Sequence, residues 1–218
     1  MDAATEIPRE RTTPAGGAFR PLPQPPRFDR LPSVGDAKFD AAIRIVFHHE
    51  GFWSDDPNDP GGPTIWGVSL RFARSIGDRD GDGFADLDLD RDGDVDADDL
   101  RLLTAEQALG LYRSEWWDRY AYGRLNTAIA FKVFDFAVNM GAPQAHRILQ
   151  RAARAVARDR LVEDGILGKA TLAVVNGASE AALIAALRSE AAGFYRTLIA
   201  RNASLAKFEG GWLNRAYW

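Results

Sequence analysis

Glu50 is the residue whose position most suggests chemistry. Counting back from it, Phe47, Val46 and Ile43 fall at i−3, i−4 and i−7, so its carboxyl belongs to the apolar stripe of an amphipathic helix that Gly51 would end. A carboxyl in that position, facing a loop, is expected to be partly desolvated, which would raise its pKa and suit it to donating a proton. The spacing alone leaves one alternative, a glutamate at a helix end that turns to solvent.

An acidic segment at residues 78–99 has the spacing of a cation site. It holds eleven Asp against two Arg, and residues 78–86 and 88–96 repeat one another at a ten-residue offset. With residue 88 as position 1, carboxylates fall at positions 1, 3, 5, 7, 9 and 12 and a glycine at position 6, which is the spacing of an EF-hand calcium loop. The expected calcium ligands are Asp88, Asp90, Asp92, Asp94 and Asp99 in the second copy, and Asp78, Asp80 and Asp82 in the first.

Two departures leave the number of calcium sites open. Position 12 of the second copy is Asp99 where Glu is usual, and in the first copy it is Leu89. The two twelve-residue frames also overlap by two residues, so the first site is either incomplete or shares Asp88. The alternative is a solvated acidic loop, although so many carboxylates would repel one another strongly without a cation.

Helical periodicity dominates the rest of the chain and predicts a mainly α fold. A helix is expected from Asp36, its N-cap, to Glu50, followed by a turn-rich stretch with a short hairpin around residues 64–68. Residues 128–140 are apolar nearly all round, which is typical of a central buried helix. Other helices are predicted at 104–117, from residue 143, near 168–176 and at 179–201, where they complete the chain.

The composition limits the class of protein. A chain of 218 residues with 46% apolar residues can form one sizeable core or two small ones. The formal charge of −4 divides into −9 for residues 78–99 and +5 for the remainder, a mildly basic body that favours an anionic polymer but lacks the arginine runs of nucleic-acid binders. No apolar run is long enough to span a bilayer, and no signal peptide is recognisable. Residues 1–36, with seven of the eleven prolines, are expected to form a flexible tail.

The residues around and after Glu50 resemble the signature of a known enzyme family. The run from His49 to Val68, with its Glu-Gly pair and its Asp-Pro-Asn-Asp-Pro-Gly-Gly-Pro-Thr segment, is similar to glycoside hydrolase family 108. Members of this family are lysozyme-like N-acetylmuramidases, found among phage endolysins and secretion-activator proteins. Residues 134–141 resemble the family's central helix, and residues 164–171 resemble the peptidoglycan-binding half that usually accompanies it. Phe52 departs from the pattern, because a second glycine is usual there.

The resemblance implies a division of the chain into functional parts. It covers about residues 37–218 and implies a lysozyme-like catalytic domain at 37–141, with the acidic segment 78–99 as a calcium-binding insertion. A helical peptidoglycan-binding region is implied at 142–218, packing on the catalytic half. The implied reaction is cleavage of the β-1,4 bond between N-acetylmuramic acid and N-acetylglucosamine, with Glu50 as the catalytic acid.

A second catalytic group is expected in the loop that follows Glu50. Related phage lysozymes use a Glu, a downstream Asp and a Thr, and Asp59 and Thr64 are the nearest equivalents in this sequence. Asp55 and Asp56 are the other carboxylate candidates. Each of these Asp residues has an alternative role as a turn or loop cap beside Pro and Gly.

Three further residues are candidates for binding sugar. Trp53 and Trp66 are expected to stack on sugar rings, although aromatic residues in a small helical domain more often belong to the core. Asn139 is expected to point its amide at an acetamido group, with a helix C-cap as the alternative.

Peptidoglycan is therefore the expected partner, bound by a monomer that binds no nucleic acid. The protein would be made in the cytoplasm and would reach the cell wall after lysis, through a holin or by a dedicated secretion route. A lytic transglycosylase would use the same Glu50. A non-catalytic, calcium-dependent wall-binding module would not need an acid at that position.

Overall fold

A computed structural model describes residues 31–55, 62–158 and 160–218 of the chain. Helices dominate this part, and its strands form one small antiparallel sheet, so the predicted mainly α, lysozyme-like fold class is confirmed. The α-helices are α1 (Ala37–Glu50), α2 (Leu70–Ile76), α3 (Ala97–Leu102), α4 (Ala105–Tyr112), α5 (Thr127–Met140), α6 (Ala142–Ala157), α7 (Lys169–Gly177), α8 (Glu180–Arg201) and α9 (Glu209–Tyr217). The remaining elements are β1 (Trp53–Ser54), β2 (Thr64–Ile65), β3 (Val68–Ser69), a π-helix (Arg113–Asp118) and two 3₁₀ helices (Tyr122–Arg124 and Ala203–Phe208).

Local sequence explains why α1 begins and ends where it was predicted to. The side chain of Asp36 accepts hydrogen bonds from backbone N–H groups of the first turn. Gly51 ends the helix at a φ of +77°, and its N–H donates to the carbonyl of Phe47. The apolar face that includes Ile43 and Phe47 is buried. Glu50 therefore projects from the last turn of a helix fixed at both ends.

The predicted hairpin is formed by β2 and β3, and β1 adds a third strand in the order β1-β2-β3. Ile65 pairs with Val68 in the antiparallel register. Trp66 and Gly67 connect them with φ angles of +55° and +74°, the signs that a two-residue type I′ turn requires. This turn brings Gly67 next to the end of α1, where Glu50 lies.

α5 is the central helix of the fold and packs against α1, α6 and α8. Its stretch from residue 129 to residue 137 is buried except for Phe131, as the sequence predicted. Two charged side chains lie in this stretch, Lys132 at 2% exposure and Asp135 at 0%. Because a buried charge is costly without partners, each of them marks a place where α5 meets a polar group.

Buried polar side chains on α6 fix the loop that precedes α7. Gln150 donates from Nε2 to the carboxylate of Asp164 at 2.7 Å, and His146 Nδ1 lies 2.8 Å from the carbonyl oxygen of Gly165. α6 in turn packs against α5 and α8. Within the described ranges, no single helix is long and apolar enough to cross a membrane; α7 and α8, bent by 115°, meet the length and composition criteria only as a pair.

The prediction that a helix at 179–201 completes the chain is wrong, because a 3₁₀ helix and α9 follow it. Gly210 and Gly211 lie in the first turn of α9 and lower its intrinsic helix propensity, which hid it from the sequence pattern. α9 is attached to α5 through Lys132, whose Nζ donates to the backbone oxygens of Arg215 at 2.8 Å and Trp218 at 2.7 Å. Tertiary contact, more than local propensity, therefore stabilises this helix.

Lys132 makes the stability of the protein depend on pH. Burial lowers its pKa from 10.5 in the unfolded chain to about 8 in the folded one. Between these values the unfolded chain binds more protons, so the free energy of unfolding is expected to rise as the pH increases from about 8 to 10.5. Urea unfolding of the wild type and of Lys132→Met across this range measures the effect. The rise should be smaller in the variant, and equal slopes in both proteins would contradict the assignment.

Candidate active site

Glu50 is held at the end of α1 by an arginine from the far end of the chain. Its side chain is 23% exposed, and its Oε1 accepts a hydrogen bond of 2.7 Å from Nη2 of Arg215 on α9. The Arg215 side chain is only 6% exposed. Glu50 thus neither packs into the apolar core with the rest of its stripe nor turns freely to solvent. It sits at the boundary between the two, in an ion pair.

Asp135 of α5 lies beneath this ion pair. Its Oδ1 is 2.9 Å from Nδ1 of His49 and 3.6 Å from Nε of Arg215. Burial acts to lower the pKa of Arg215, but the charges of Asp135 and Glu50 outweigh it and raise that pKa above its ordinary value. The guanidinium therefore stays charged and faces two carboxyl groups from different helices.

Three buried polar atoms around Glu50 have no hydrogen-bond partner among the described residues: the hydroxyl of Tyr112, Oδ2 of Asp135 and Nη1 of Arg215. No other side-chain nitrogen or oxygen buried in the described part of the chain lacks a partner. Leaving such a group unpaired costs about 1–3 kcal/mol. Native folds keep few of these groups, and a concentration of them at one place is typical of a site that serves a ligand or a reaction.

Gly67 allows Tyr112 and Glu50 to approach each other. A Cβ atom on this glycine would lie 2.2 Å from the Tyr112 hydroxyl oxygen and 3.1 Å from both Cβ and Cγ of Glu50. Burial raises the pKa of Tyr112 well above its ordinary value, and the charge of Glu50 adds to the effect. The hydroxyl therefore remains protonated and keeps a hydrogen available to donate beside the carboxyl.

Glu50 lies where two adjoining cavities of about 530 and 500 Å³ meet; together they are called the groove. Both cavities are lined by Glu50, Asn139, Phe208 and Trp212. On one side the groove continues over a polar and cationic surface formed by His48, His49, Lys207, Asn214 and Trp218. On the other it continues over an apolar surface formed by Met140, Phe194 and Leu198. Most of these residues come from α8, α9 and the 3₁₀ helix between them.

A stack of three aromatic rings forms part of the groove wall. Trp212 lies between Tyr195, at a centroid distance of 5.1 Å, and Phe208, at 5.5 Å. The Tyr195 hydroxyl donates to the side-chain oxygen of Asn139 at 2.8 Å, which fixes both groups. Tyr195 is buried, whereas Phe208 is 43% exposed, so the stack runs from the core to the surface. Its outer ring, that of Phe208, also lies under Nζ of Lys207, 4.9 Å from the ring centroid.

The structure separates the three predicted sugar-binding residues. Asn139 lines both cavities. Trp66 is 5% exposed, donates from Nε1 to the carbonyl of Leu103 at 3.2 Å and packs against Phe52; the expected sugar stacking does not fit this position, because no ring face is open. Trp53 on β1 is half-buried beneath the guanidinium of Arg101 and is not part of the groove lining.

The structure describes Thr64 and Asp55, two of the four candidates for the second catalytic group. Asp59 and Asp56 lie outside the described residues, so their roles stay predictions. Thr64 is half-buried on β2 and donates from its hydroxyl to the carbonyl of Gly62 at 3.3 Å; it does not line the groove. Asp55 is exposed beyond the end of β1.

Arg215, Asp135 and Trp212 were missed by the sequence reasoning. For Arg215 and Trp212 the sequence holds no local signal, because no helix was predicted around them. Asp135 did have one: it is a carboxylate within the stretch 128–140 that is otherwise almost wholly apolar. A charge placed there needs a partner, so it indicates a polar site next to the helix.

The acidic segment consists of two loops with the same backbone shape. Gly81 and Arg91, ten residues apart, have φ angles of +79° and +60°, and Gly83 and Gly93 have +92° and +103°. Asp78 and Asp88, the first Asp of each loop, each accept hydrogen bonds from two backbone N–H groups. One of these donors is Gly83 in the first loop and Gly93 in the second, at 3.0 Å in both. The sequence repeat is thus also a repeat of structure.

Carboxylates of the second loop converge. Oxygen atoms of Asp88, Asp90 and Asp99 all lie within 4.8 Å of one another, and those of Asp94, Asp96 and Asp99 do so as well. Asp88 and Asp99 are buried, at 5% and 2% exposure. Partial desolvation raises the pKa values of Asp90 and Asp94, and repulsion from the predicted ligand Asp92 raises them further. An all-oxygen donor set of this kind fits a hard divalent cation.

The first loop gathers fewer of its predicted ligands. Asp78 and Asp80 come together with Asp86, which the sequence analysis had not selected. Asp82 instead forms an ion pair with Arg91 of the second loop, with its Oδ2 3.0 Å from Nη2. Asp82 was predicted to be a calcium ligand, and this ion pair occupies its carboxylate.

Two family models match consecutive parts of the chain, on either side of the junction between α5 and α6. Residues 43–141 match the model of glycosyl hydrolase 108, and residues 144–217 match that of a predicted peptidoglycan domain. The mainly helical fold, with a carboxyl where the two cavities of the groove meet, is thus consistent with a lysozyme-like protein, and the two matches support a peptidoglycan hydrolase function.

Among solved structures, the chain is similar to SagA of Brucella abortus. The TM-score is 0.61 and the sequence identity 24%, and the similarity covers 82% of this chain and 88% of SagA. At that identity the likeness concerns the fold. None of the curated proteins compared with the chain matches it in sequence.

Proposed function

We propose that the protein is an N-acetylmuramidase that cleaves the β-1,4 bond between N-acetylmuramic acid and N-acetylglucosamine in peptidoglycan, with Glu50 as general acid. The observation that carries the proposal is the placement of Glu50 midway along a groove, surrounded by the unpartnered buried polar atoms of the described residues. Two adjoining cavities with Glu50 between them suit a polymer that extends on both sides of the bond to be cleaved. The match to glycosyl hydrolase 108 over residues 43–141 supports the reaction class.

In this reaction Glu50 donates its proton to the oxygen of the leaving sugar while positive charge develops on the other ring. A second group must stabilise that charge or activate a water molecule. We assign this role to Asp59, on the strength of its order after Glu50; Thr64, which was expected to help place the water, does not line the groove. The separation of the two carboxyl groups then decides between inversion and retention of configuration.

The helices of the C-terminal part would hold the glycan strand against Glu50. Phe208 and Trp218, at 43% and 48% exposure, offer aromatic faces to sugar rings, and Asn139 offers an amide to an acetamido group. Lys207 lies on the same side and would attract carboxylates of the stem peptides. The match of residues 144–217 to a predicted peptidoglycan domain supports a role for these helices in binding the substrate.

The nature of the soluble products tests the proposal. Purified peptidoglycan is digested with the protein, and the fragments are identified by mass spectrometry. Reducing N-acetylmuramic acid ends are expected. Anhydro-muramyl ends would instead identify a lytic transglycosylase with the same acid, and the absence of products at every calcium concentration would leave a wall-binding module.

We further propose that the second acidic loop binds one calcium ion through Asp88, Asp90, Asp94 and Asp99; Asp92, the fifth ligand expected from the sequence, belongs to neither group of converging carboxylates. The convergence of carboxylate oxygens on Asp99, and the burial of Asp99 and Asp88, support this assignment. The ion would neutralise charge that otherwise destabilises the insertion, and so would act in structure and not in catalysis. The first loop is a poorer candidate, because Asp82 pairs with Arg91.

Calcium binding is expected to show a stoichiometry of one, with a Kd in the micromolar to millimolar range. Calorimetric titration measures it, and saturating calcium should also raise the melting temperature. Asp88→Asn should abolish the heat of binding, whereas the equivalent change in the first loop, Asp78→Asn, is the matched control and should retain it. A wild type without measurable binding, or equal losses in both variants, would contradict the assignment.

A further inference from the structure

One edge of the Arg215 guanidinium group faces two carboxyl groups, those of Glu50 and Asp135. Nε and Nη2 form the edge that can grip a carboxylate with two parallel hydrogen bonds. Here Nη2 donates to Glu50 at 2.7 Å, while Nε points to Oδ1 of Asp135 at 3.6 Å. Neither carboxyl group receives the two-bond grip that arginine is built to provide.

Asp135 retains an unused acceptor for the second half of that grip. Its Oδ2 is buried and has no hydrogen-bond partner, and Nη1 of Arg215 is likewise without one. If Nη2 moved from Glu50 to Oδ2 of Asp135, the unpaired acceptor would gain a donor and Arg215 would bind Asp135 through both atoms of its edge. That move would give the same three side chains a second arrangement.

The arrangement seen in the free protein conflicts with the proposed role of Glu50. A charge-assisted bond from arginine is made to a carboxylate, whereas a general acid must carry a proton when the glycosidic bond breaks. The guanidinium favours the charged form of Glu50, so its departure would favour uptake from solvent of the proton that the acid needs.

We propose that Arg215 is a positioning residue that holds Glu50 in the free protein and transfers Nη2 to Asp135 when a glycan strand fills the groove. The inference rests on the proposed function. After the transfer, Glu50 takes up the proton that it then donates. Its carboxyl group is therefore protonated for catalysis only while substrate is bound. His49, on the other side of Asp135, keeps that carboxylate in place through the 2.9 Å contact of its Nδ1.

Other titratable and charged groups also face this cluster, and the experiment must separate their effects from that of Arg215. They come from the elements packed around it, and all remain present in Asp135→Asn and Arg215→Met. They are His48 and His49 on α1, Tyr112 on α4, Lys132 on α5, Arg188 and Tyr195 on α8, and Lys207 on the 3₁₀ helix.

The test compares the pH profiles of kcat/KM and kcat on solubilised glycan strands, which report the free enzyme and the substrate complex respectively. In the wild type, the basic limb of kcat is expected at a higher pH than that of kcat/KM, because Arg215 leaves Glu50 on binding. In Asp135→Asn the arginine has no second carboxylate and stays on Glu50, so both limbs should coincide at the lower pH. In Arg215→Met both should coincide at the higher pH.

Arg188→Met is the matched control. Arg188 also donates to the backbone oxygen of Trp218 at the end of α9, at 3.0 Å, but it does not contact Glu50. Loss of an arginine that merely anchors α9 would change activity or stability and leave the two limbs separated. Limbs that coincide in the wild type, or that remain separated in Arg215→Met, would overturn the proposal.

A measurement on the free protein distinguishes failure of this inference from failure of the proposed function. The carboxyl carbon of Glu50 is followed by ¹³C NMR during a pH titration, without substrate. Its midpoint is expected to be higher in Arg215→Met than in the wild type, because the variant has no guanidinium to stabilise the carboxylate, whether or not the protein cleaves peptidoglycan. Equal midpoints would show that Arg215 does not stabilise the Glu50 carboxylate and would refute this inference. Different midpoints in a protein that releases no products would refute only the proposed hydrolase function.

Discussion

Glu50→Gln is expected to lower the rate of peptidoglycan cleavage by about a thousandfold, within the range that a general acid contributes. The amide keeps the size of the carboxyl group and can still accept a hydrogen bond from Arg215, but it has no proton to give to the leaving oxygen. Release of soluble fragments per enzyme molecule, measured at the pH optimum of the wild type, gives the ratio directly. Residual activity above a tenth of the wild type would remove Glu50 from the role of acid.

A carboxyl-to-amide change elsewhere on the surface controls for this result. Glu106 is exposed in the first turn of α4, away from the groove lining. Glu106→Gln should keep the wild-type rate. Circular dichroism and the melting temperature of Glu50→Gln should remain close to those of the wild type, because Arg215 retains its contact with Asp135.

Gly67→Ala is expected to impair both folding and catalysis. The φ angle of +74° costs an alanine about 1–2 kcal/mol. The new Cβ, 2.2 Å from the Tyr112 hydroxyl oxygen, adds about 1–3 kcal/mol of overpacking. It also lies 3.1 Å from two carbons of Glu50, and a displacement of about 1 Å at a reacting group can cost roughly a hundredfold in rate. Chemical unfolding and cleavage assays measure the two effects.

Two further variants divide the effect into its causes. Gly77 has a similar φ of +67° but open space around its Cβ position, so Gly77→Ala should lose only the backbone contribution and keep full activity. Tyr112→Phe removes the crowded oxygen, which has no hydrogen-bond partner, and should restore part of the stability when combined with Gly67→Ala. Equal stability of Gly67→Ala and Gly77→Ala would contradict the prediction, because it would show that Tyr112 and Glu50 move aside without a loss of stability.

The elements that carry Glu50 were predictable because their causes lie within a few residues. An N-cap aspartate, an apolar stripe and a terminal glycine define α1. The hairpin after it follows from a turn in which Gly67 supplies one of two positive φ angles. The position of Glu50 at the end of a buried stripe, next to a loop, could therefore be read from the sequence.

The opposite wall of the groove could not be read in this way. Arg215 meets Glu50 across 165 residues of sequence, and no local pattern encodes such a pairing. α9 itself is attached through Lys132 and Arg188 and packs against α8, whereas two glycines weaken its first turn. The tryptophans show the same limit: Trp66 belongs to the core and Trp212 to the groove, although both are simply aromatic residues in the sequence.

The distance in sequence between Glu50 and Arg215 also matters during synthesis of the protein. The ribosome adds Arg215 165 residues after Glu50, so for most of translation the growing chain carries the carboxyl group without the helices that close the groove around it. An unfinished chain that is released early lacks the aromatic stack and the arginine as well. The groove is therefore incomplete until α9 has been translated, and only a chain translated past α9 can present it to a polymer.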